Sequence, residues 1–328
     1  MKKILALLCA AALWSASPAQ TPVLRFDGEG KLKIAQFTDV HLDLGTEARR
    51  AEAEKTLAQM RYILDTERPD VVIFTGDVVT GSPAAEAWKR VLAPVAERKL
   101  PFCVVLGNHD AEQDLTRGQI AAIVTSFPQS LNTLGANREL ADAVLEVNGA
   151  NGTAALLYCM DSHDYSPIKE LDGYAWFTHE QVGWFRARSA AYTAANGGKP
   201  LPALAFFHIA LPEYVAAWRN PANTHIGRAA EDECPGELNT GMFAAMRESG
   251  DVMGIFVGHD HDMAEKGIAL GYGRFSGDNT TYNNLRPGVR LLVLRAGERS
   301  FESWIHERDG RIVDHVEFRD GEIRKIEK

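Results

Sequence analysis

The chain has 328 residues, 45% of them hydrophobic, enough to bury a sizeable core in one large domain or two small ones. A formal charge of −9 gains nothing from nucleic-acid phosphates by counterion release, so no nucleic-acid partner is expected, although a locally positive metal site could still attract an anion. After the first twenty residues no apolar stretch is long enough to span a bilayer.

At the N-terminus, Lys2 and Lys3 precede the apolar run Ile4 to Leu13, followed by the small residues of "SASPAQ". That is the layout of a secretory signal peptide, with cleavage expected after Ala19, a mature chain of residues 20–328, and a secreted or periplasmic location. Cys9 would leave with it, and Cys103, Cys159 and Cys234 would remain. An odd number excludes a fully paired disulfide framework. Cys103 and Cys159 sit in apolar runs and read as buried thiols, whereas Cys234 lies in a loop-like stretch and is left unassigned.

Along the rest of the chain a short apolar run repeatedly stops at polar residues. "LKIAQFTDVH" ends in Asp39 and His41, "VVIFTGD" in Asp77, and "FCVVLGNHD" in Asn108, His109 and Asp110. "ALLYCMDSHD" ends in Asp161, "LAFFH" in His208 and "GIFVGHDH" in His259 and His261. Runs of four to six apolar residues bounded by Gly or Asp suit strands buried on both faces. Helical patterns lie between them. Leu57, Met60 and Leu64 share one face of a segment from about Thr46 to Thr66. "THEQ" at 178–181 reads as a capping box, and a short helix from Met242 closes at Gly250. Alternating strands and helices predict an α/β fold with a largely parallel sheet. The strand-like stretches from Val289 onwards, turning at Asp309-Gly310, predict an antiparallel end.

In open α/β sheets ligands bind beyond the carboxyl ends of the strands. Five of these runs end in groups able to bind metal: Asp39 with His41, Asp77, Asn108, His208, and His259 with His261. Two carboxylates, four imidazoles and an amide oxygen could hold two divalent ions bridged by one Asp. A single histidine after an apolar run is more often structural, and the chain carries five others outside the pattern, at 163, 179, 225, 306 and 315. It is the repetition over five strands that carries weight.

"DVH", "GD", "GNHD", a later isolated His and "GHDH", in that order, resemble the blocks of the calcineurin-like metallophosphoesterase superfamily. "LDGYAWFTHEQ", "FFHIALPEY" and "NTGMF" look like its purple-acid-phosphatase-related branch, in a short form without an N-terminal sandwich domain. The resemblance implies a four-layer α/β/β/α sandwich with two mixed sheets, forming a single catalytic domain over 20–328. It implies that Asp39, His41, Asp77 and His261 bind one metal, with Asp77 bridging, and that Asn108, His208 and His259 complete a second. Asn108 would also touch the phosphate, His109 would protonate the leaving oxygen, and Asp110 would orient His109. The implied activity is hydrolysis of a small phosphorylated substrate, foremost a phosphomonoester, by a hydroxide activated between two metals. A phosphodiesterase or nucleotide pyrophosphatase with the same centre is the alternative, and a non-catalytic metal or phosphate binder a third reading.

One departure separates this chain from the purple enzymes. Their Gly-Asp-x-x-Tyr supplies an iron-binding tyrosinate, and "GDVVT" places Thr80 there. Mixed carboxylate and imidazole ligands suit Mn, Zn or ferrous Fe. Arg274, in "GYGRFSGDN", could reach a substrate anion or pair with a carboxylate.

Overall fold

A strand that is apolar on both faces needs a packed layer on each side. The computed structural model, which describes residues 22–227, 234–258, 263–265, 267–278 and 285–326, supplies both layers. The expected signal peptide and both His259 and His261 lie outside the described residues. The chain begins with β1 (Leu24–Arg25), β2 (Lys31–Phe37), α1 (Glu47–Glu67), β3 (Val71–Thr75), α2 (Ala84–Glu97), β4 (Phe102–Val105) and α3 (Arg117–Thr125). It continues with β5 (Ala143–Gly149), β6 (Gly152–Cys159), α4 (His179–Ala195), β7 (Ala203–Phe206), α5 (Pro212–Arg219) and α6 (Met242–Ser249). Then come β8 (Val252–Val257), β9 (Met263–Glu265), β10 (Ala269–Tyr272), β11 (Gly288–Arg295), β12 (Ser300–Glu307), β13 (Ile312–Arg319) and β14 (Glu322–Lys325).

Two mixed sheets result. One runs β14-β13-β12-β11-β2-β3-β4 and the other β1-β5-β6-β7-β8-β10-β9. Strands β2, β3 and β4 are parallel, as are β6, β7, β8 and β10, whereas β11 to β14 are antiparallel. The expected turn at Asp309-Gly310 lies between β12 and β13, with Gly310 at φ +85°. Side-chain alternation sorts the strands into three cores. From β3, Val72 and Phe74 face α1 and α2, while Val71 and Ile73 face the second sheet. From β7, Leu204 and Phe206 enter the same inter-sheet core, while Ala203 and Ala205 pack under α4 to α6. This is the four-layer α/β/β/α sandwich.

Local signals set the helix ends. Thr46 caps α1 by accepting from the Arg49 N–H at 3.2 Å, and Leu57, Met60 and Leu64 are buried as their spacing requires. The Thr178–Gln181 capping box opens α4, and Gly250 ends α6 in the left-handed region. Cys103 and Cys159 are buried thiols in the inter-sheet core, and Cys234 is exposed. Among the described residues no helix is long and apolar enough to cross a membrane.

Beneath the carboxyl ends of the parallel strands the two sheets are joined by a buried polar link. The Gln36 amide on β2 donates to Thr75 Oγ1 at 2.9 Å and across to the Val257 carbonyl of β8 at 3.1 Å. An unpaired amide there would cost about 1–3 kcal/mol, so the link holds the two strand edges in one relation.

Candidate metal centre

The loops after β2 and β3 lie side by side. Asp39 N–H donates to Gly76 O at 3.0 Å, and His41 N–H to Asp77 O at 2.9 Å. Asp39, His41 and Asp77 all hold positive φ, at +47°, +46° and +49°. Such conformations cost about 1–3 kcal/mol each and persist where surrounding contacts enforce them, commonly at functional sites. Here they turn three ligand-type side chains inward, with one ligand atom from each within 4.8 Å of the others. Both carboxylates are buried, and Thr38 Oγ1 holds Asp39 Oδ2 at 2.7 Å. His41 Nε2 stands 3.7 Å from Asp39 Oδ1 and 3.6 Å from Asp77 Oδ2.

The second cluster meets the first at Asp77. His208, fully buried after β7, donates from Nδ1 to the Thr75 carbonyl at 2.8 Å, which fixes its tautomer. Its Nε2 then faces Asp77 Oδ2 at 3.3 Å and Asn108 Oδ1 at 3.2 Å. Three acceptor atoms converge there, and only a shared proton or a cation reconciles them. Two glycines make the approach feasible. A Cβ on Gly107 would lie 2.2 Å from Asp77 Oδ1 and 2.8 Å from His208 Nε2, and one on Gly76 would lie 2.4 Å from His208 Nδ1.

The electrostatics follow from this crowding. Burial opposes charge on His41, but the Asp39 and Asp77 carboxylates beside it raise its pKa to about 9. Burial likewise opposes charge on His208, which the Asp77 carboxylate raises to about 10. Burial pushes Asp77 up, and His208 and His41 outweigh it, holding the carboxyl well below the usual range. Concentrated negative charge that draws protons onto imidazoles is also what divalent cations seek, so these residues fit a metal.

Two expected roles need correction. Asp110 does not orient His109. Its Oδ1 accepts the Val78 and Val79 N–H groups at 2.8 and 3.0 Å, and its Oδ2 accepts Gly107 N–H at 2.8 Å. Adjacent side chains diverge, and this one turns under the loops, clamping the segment after β4 to the segment after β3. Burial, then the charge on Asp77, pushes its pKa up to about 6. Arg274 does not reach the site either. It is buried against the antiparallel strands, donating to Glu307 Oε1 at 3.0 Å and to the Arg286 carbonyl at 3.1 Å, with Asp314 3.8 Å away.

The place expected for Asp110 belongs to Glu112, which sequence reasoning missed. Glu112 Oε2 lies 2.6 Å from His109 Nδ1, and Oε1 accepts the Tyr165 hydroxyl at 2.6 Å. Tyr165 oxygen in turn accepts from Asn108 Nδ2 at 3.3 Å. The available signal was spacing, since a turn closed by Glu112 N–H to His109 O brings residues three apart to one side. His109 N–H donates to Asp77 Oδ1 at 2.9 Å, and its Nε2 stands 4.0 Å from Asp77 Oδ2. Asp161 is paired with Arg117, while His163 Nε2 meets Gln181 Oε1 at 2.8 Å.

The family model for calcineurin-like phosphoesterases matches residues 32–263. The chain belongs to that family. Within it the chain falls on the purple-acid-phosphatase-related branch, with Thr80 in place of the iron-binding Tyr. It is 32% identical to "Probable inactive purple acid phosphatase 29" of Arabidopsis thaliana, over 82% of this chain and 77% of that protein. It is 31% identical to "Phosphatase DCR2" of Saccharomyces cerevisiae, over 84% of this chain and 54% of that one, so it spans about half that relative's length. Among solved structures, purple acid phosphatase PPD1 from yellow lupin (Lupinus luteus) shares the fold with a TM-score of 0.52 at 13% identity, over 93% of this chain and 55% of that one.

Proposed function

We propose that this phosphoesterase-family protein hydrolyses phosphate monoesters at a centre of two divalent ions. The observation that carries the reading is the position of Asp77, whose Oδ2 lies 3.6 Å from His41 Nε2 and 3.3 Å from His208 Nε2, as a bridging carboxylate would. Asp39, His41, Asp77 and His261 would hold one ion, and Asp77, Asn108, His208 and His259 the other. His259 and His261 are assigned on the "GHDH" pattern alone. Bound ions would supply Lewis-acid polarisation of the phosphoryl oxygens and a water acidic enough to attack near neutral pH. Asn108, amide nitrogen toward Tyr165 and oxygen toward His208, can orient a phosphoryl group beside them. His109 Nε2, on the Asp77 side of its ring, delivers a proton to the departing oxygen.

A second reading has a specific source. Relatives carrying the word "inactive" in their names favour a protein that binds metal or phosphate without turnover. Against it stands His109 with its carboxylate partner, since a binder has no use for a leaving-group acid. Metal-loaded protein assayed with 4-nitrophenyl phosphate and its bis ester separates these readings. Faster turnover of the monoester is expected, preference for the bis ester would favour a phosphodiesterase, and hydrolysis of neither would favour the binder.

A further inference from the structure

We infer that Glu112 and Tyr165 form a positioning pair that holds His109 as a proton donor to poor leaving groups, so that the substrates are phosphomonoesters of alcohols. This rests on the phosphomonoesterase reading above.

Both Glu112 oxygens are engaged, one by His109 Nδ1 at 2.6 Å and one by the Tyr165 hydroxyl at 2.6 Å, so the carboxylate is held against rotation. A carboxylate on Nδ1 keeps Nε2, the nitrogen from which a proton would be donated, turned away from it toward the Asp77 side of the site. Tyr165 is itself braced. Its ring stacks on Tyr174 with centroids 5.8 Å apart, and the backbones of the two pair in a bridge supported by Ser166 N–H to Gly173 O at 3.0 Å. Its oxygen accepts from Asn108, so the acid and the residue beside the phosphate are set by one hydrogen-bonded chain. His109 and Glu112 are each a little over a third exposed, which places the acid at the mouth, where a leaving group would stand.

The step balances without a further reactant. The attacking water gives one proton to solvent as its oxygen bonds phosphorus, and the bond from phosphorus to the ester oxygen breaks. The His109 Nε2 proton passes to that oxygen to give the free alcohol, and solvent returns a proton to the imidazole. An aryl oxide such as nitrophenolate departs unprotonated with little cost, whereas an alkoxide does not. A braced acid therefore matters chiefly for alkyl esters.

The test compares wild type, Glu112→Gln and Tyr165→Phe on glycerol 2-phosphate and on 4-nitrophenyl phosphate, with metal content measured in each. For Glu112→Gln the loss of kcat on the alkyl ester should exceed the loss on the aryl ester by about tenfold or more, with metal content unchanged. Tyr165→Phe should follow the same pattern at about threefold. Equal losses on both esters, or none, would overturn the pair's role while leaving the phosphatase reading intact. Hydrolysis of neither ester by metal-loaded wild type would instead sink the phosphatase reading. A readout independent of turnover is the His109 Nδ1 proton in the NMR spectrum, expected in wild type and lost in Glu112→Gln. Its absence from wild type would also overturn the pair.

Discussion

The turn after β4 and the turn after β10 each carry charged or polar groups out of a buried strand, and they resolve that burial in opposite ways. After β10, Arg274 finds Glu307 and Asp314 on the antiparallel strands, so opposite charges cancel within the chain. After β4, Asn108 and His109 arrive beside Asp77 and Asp39, where two buried carboxylates are drawn together and, among the described residues, the imidazoles of His41 and His208 face them. A region whose charges cancel needs no partner from outside the chain, and removing one member of the pair is what costs stability. A region whose like charges are held together, on backbone at positive φ, is built for a cation from outside.

Substitutions can break this contrast. The largest effect belongs to Asp77→Asn, which removes the carboxylate both clusters share. It should abolish metal retention and lower turnover by about three orders of magnitude or more, while circular dichroism shows the fold intact. Retained metal with full turnover would remove Asp77 from the centre. Next comes Arg274→Met. Because Glu307 keeps its contact with Arg311, the loss in stability should be about 2 kcal/mol in a denaturant titration, with turnover per folded molecule unchanged. A selective loss of activity would return Arg274 to the substrate.

The smallest effect is the pH dependence of metal binding. In metal-free protein the raised His41 and His208 pKa values, about 9 and 10, contribute stability fully present below pH 6.5 and lost as pH rises through them. Protons also compete with the metal for the same nitrogens. The metal-free protein should therefore melt at a lower temperature at pH 9.5 than at pH 6.5, while metal affinity rises over the same interval. Calorimetry at the two pH values checks both, and affinity falling with pH would exclude these imidazoles as ligands.

How much of this was legible in the sequence depended on how local the signal was. Asp39, His41, Asp77, Asn108 and His208 stand where apolar runs stop, and strand ends in a parallel sheet converge, so their meeting followed from pattern and chain direction. Asp110 was expected beside His109 because the resemblance implies it, whereas its side chain turns under the loops to the Val78, Val79 and Gly107 N–H groups. Glu112, three residues on, was the group that returns to His109. Arg274 was ambiguous because its partners lie on β12 and β13, distant in sequence and marked by nothing local. At fold level the buried strands and capped helices were readable. Strand β5, largely half-buried and pairing with β6 through a short turn, was not, because its apolar run Val144 to Val147 is interrupted by Glu146 and stops at Asn148-Gly149.

The central claim is that the two clusters around Asp77 together make a hydrolytic centre. Metal-free protein titrated with Mn or Zn, with bound metal and 4-nitrophenyl phosphate hydrolysis followed in the same samples, tests it most directly. The account predicts two ions per chain and turnover that appears as the second site fills. A protein that holds two ions and hydrolyses no phosphomonoester, or that turns over with none bound, would contradict it.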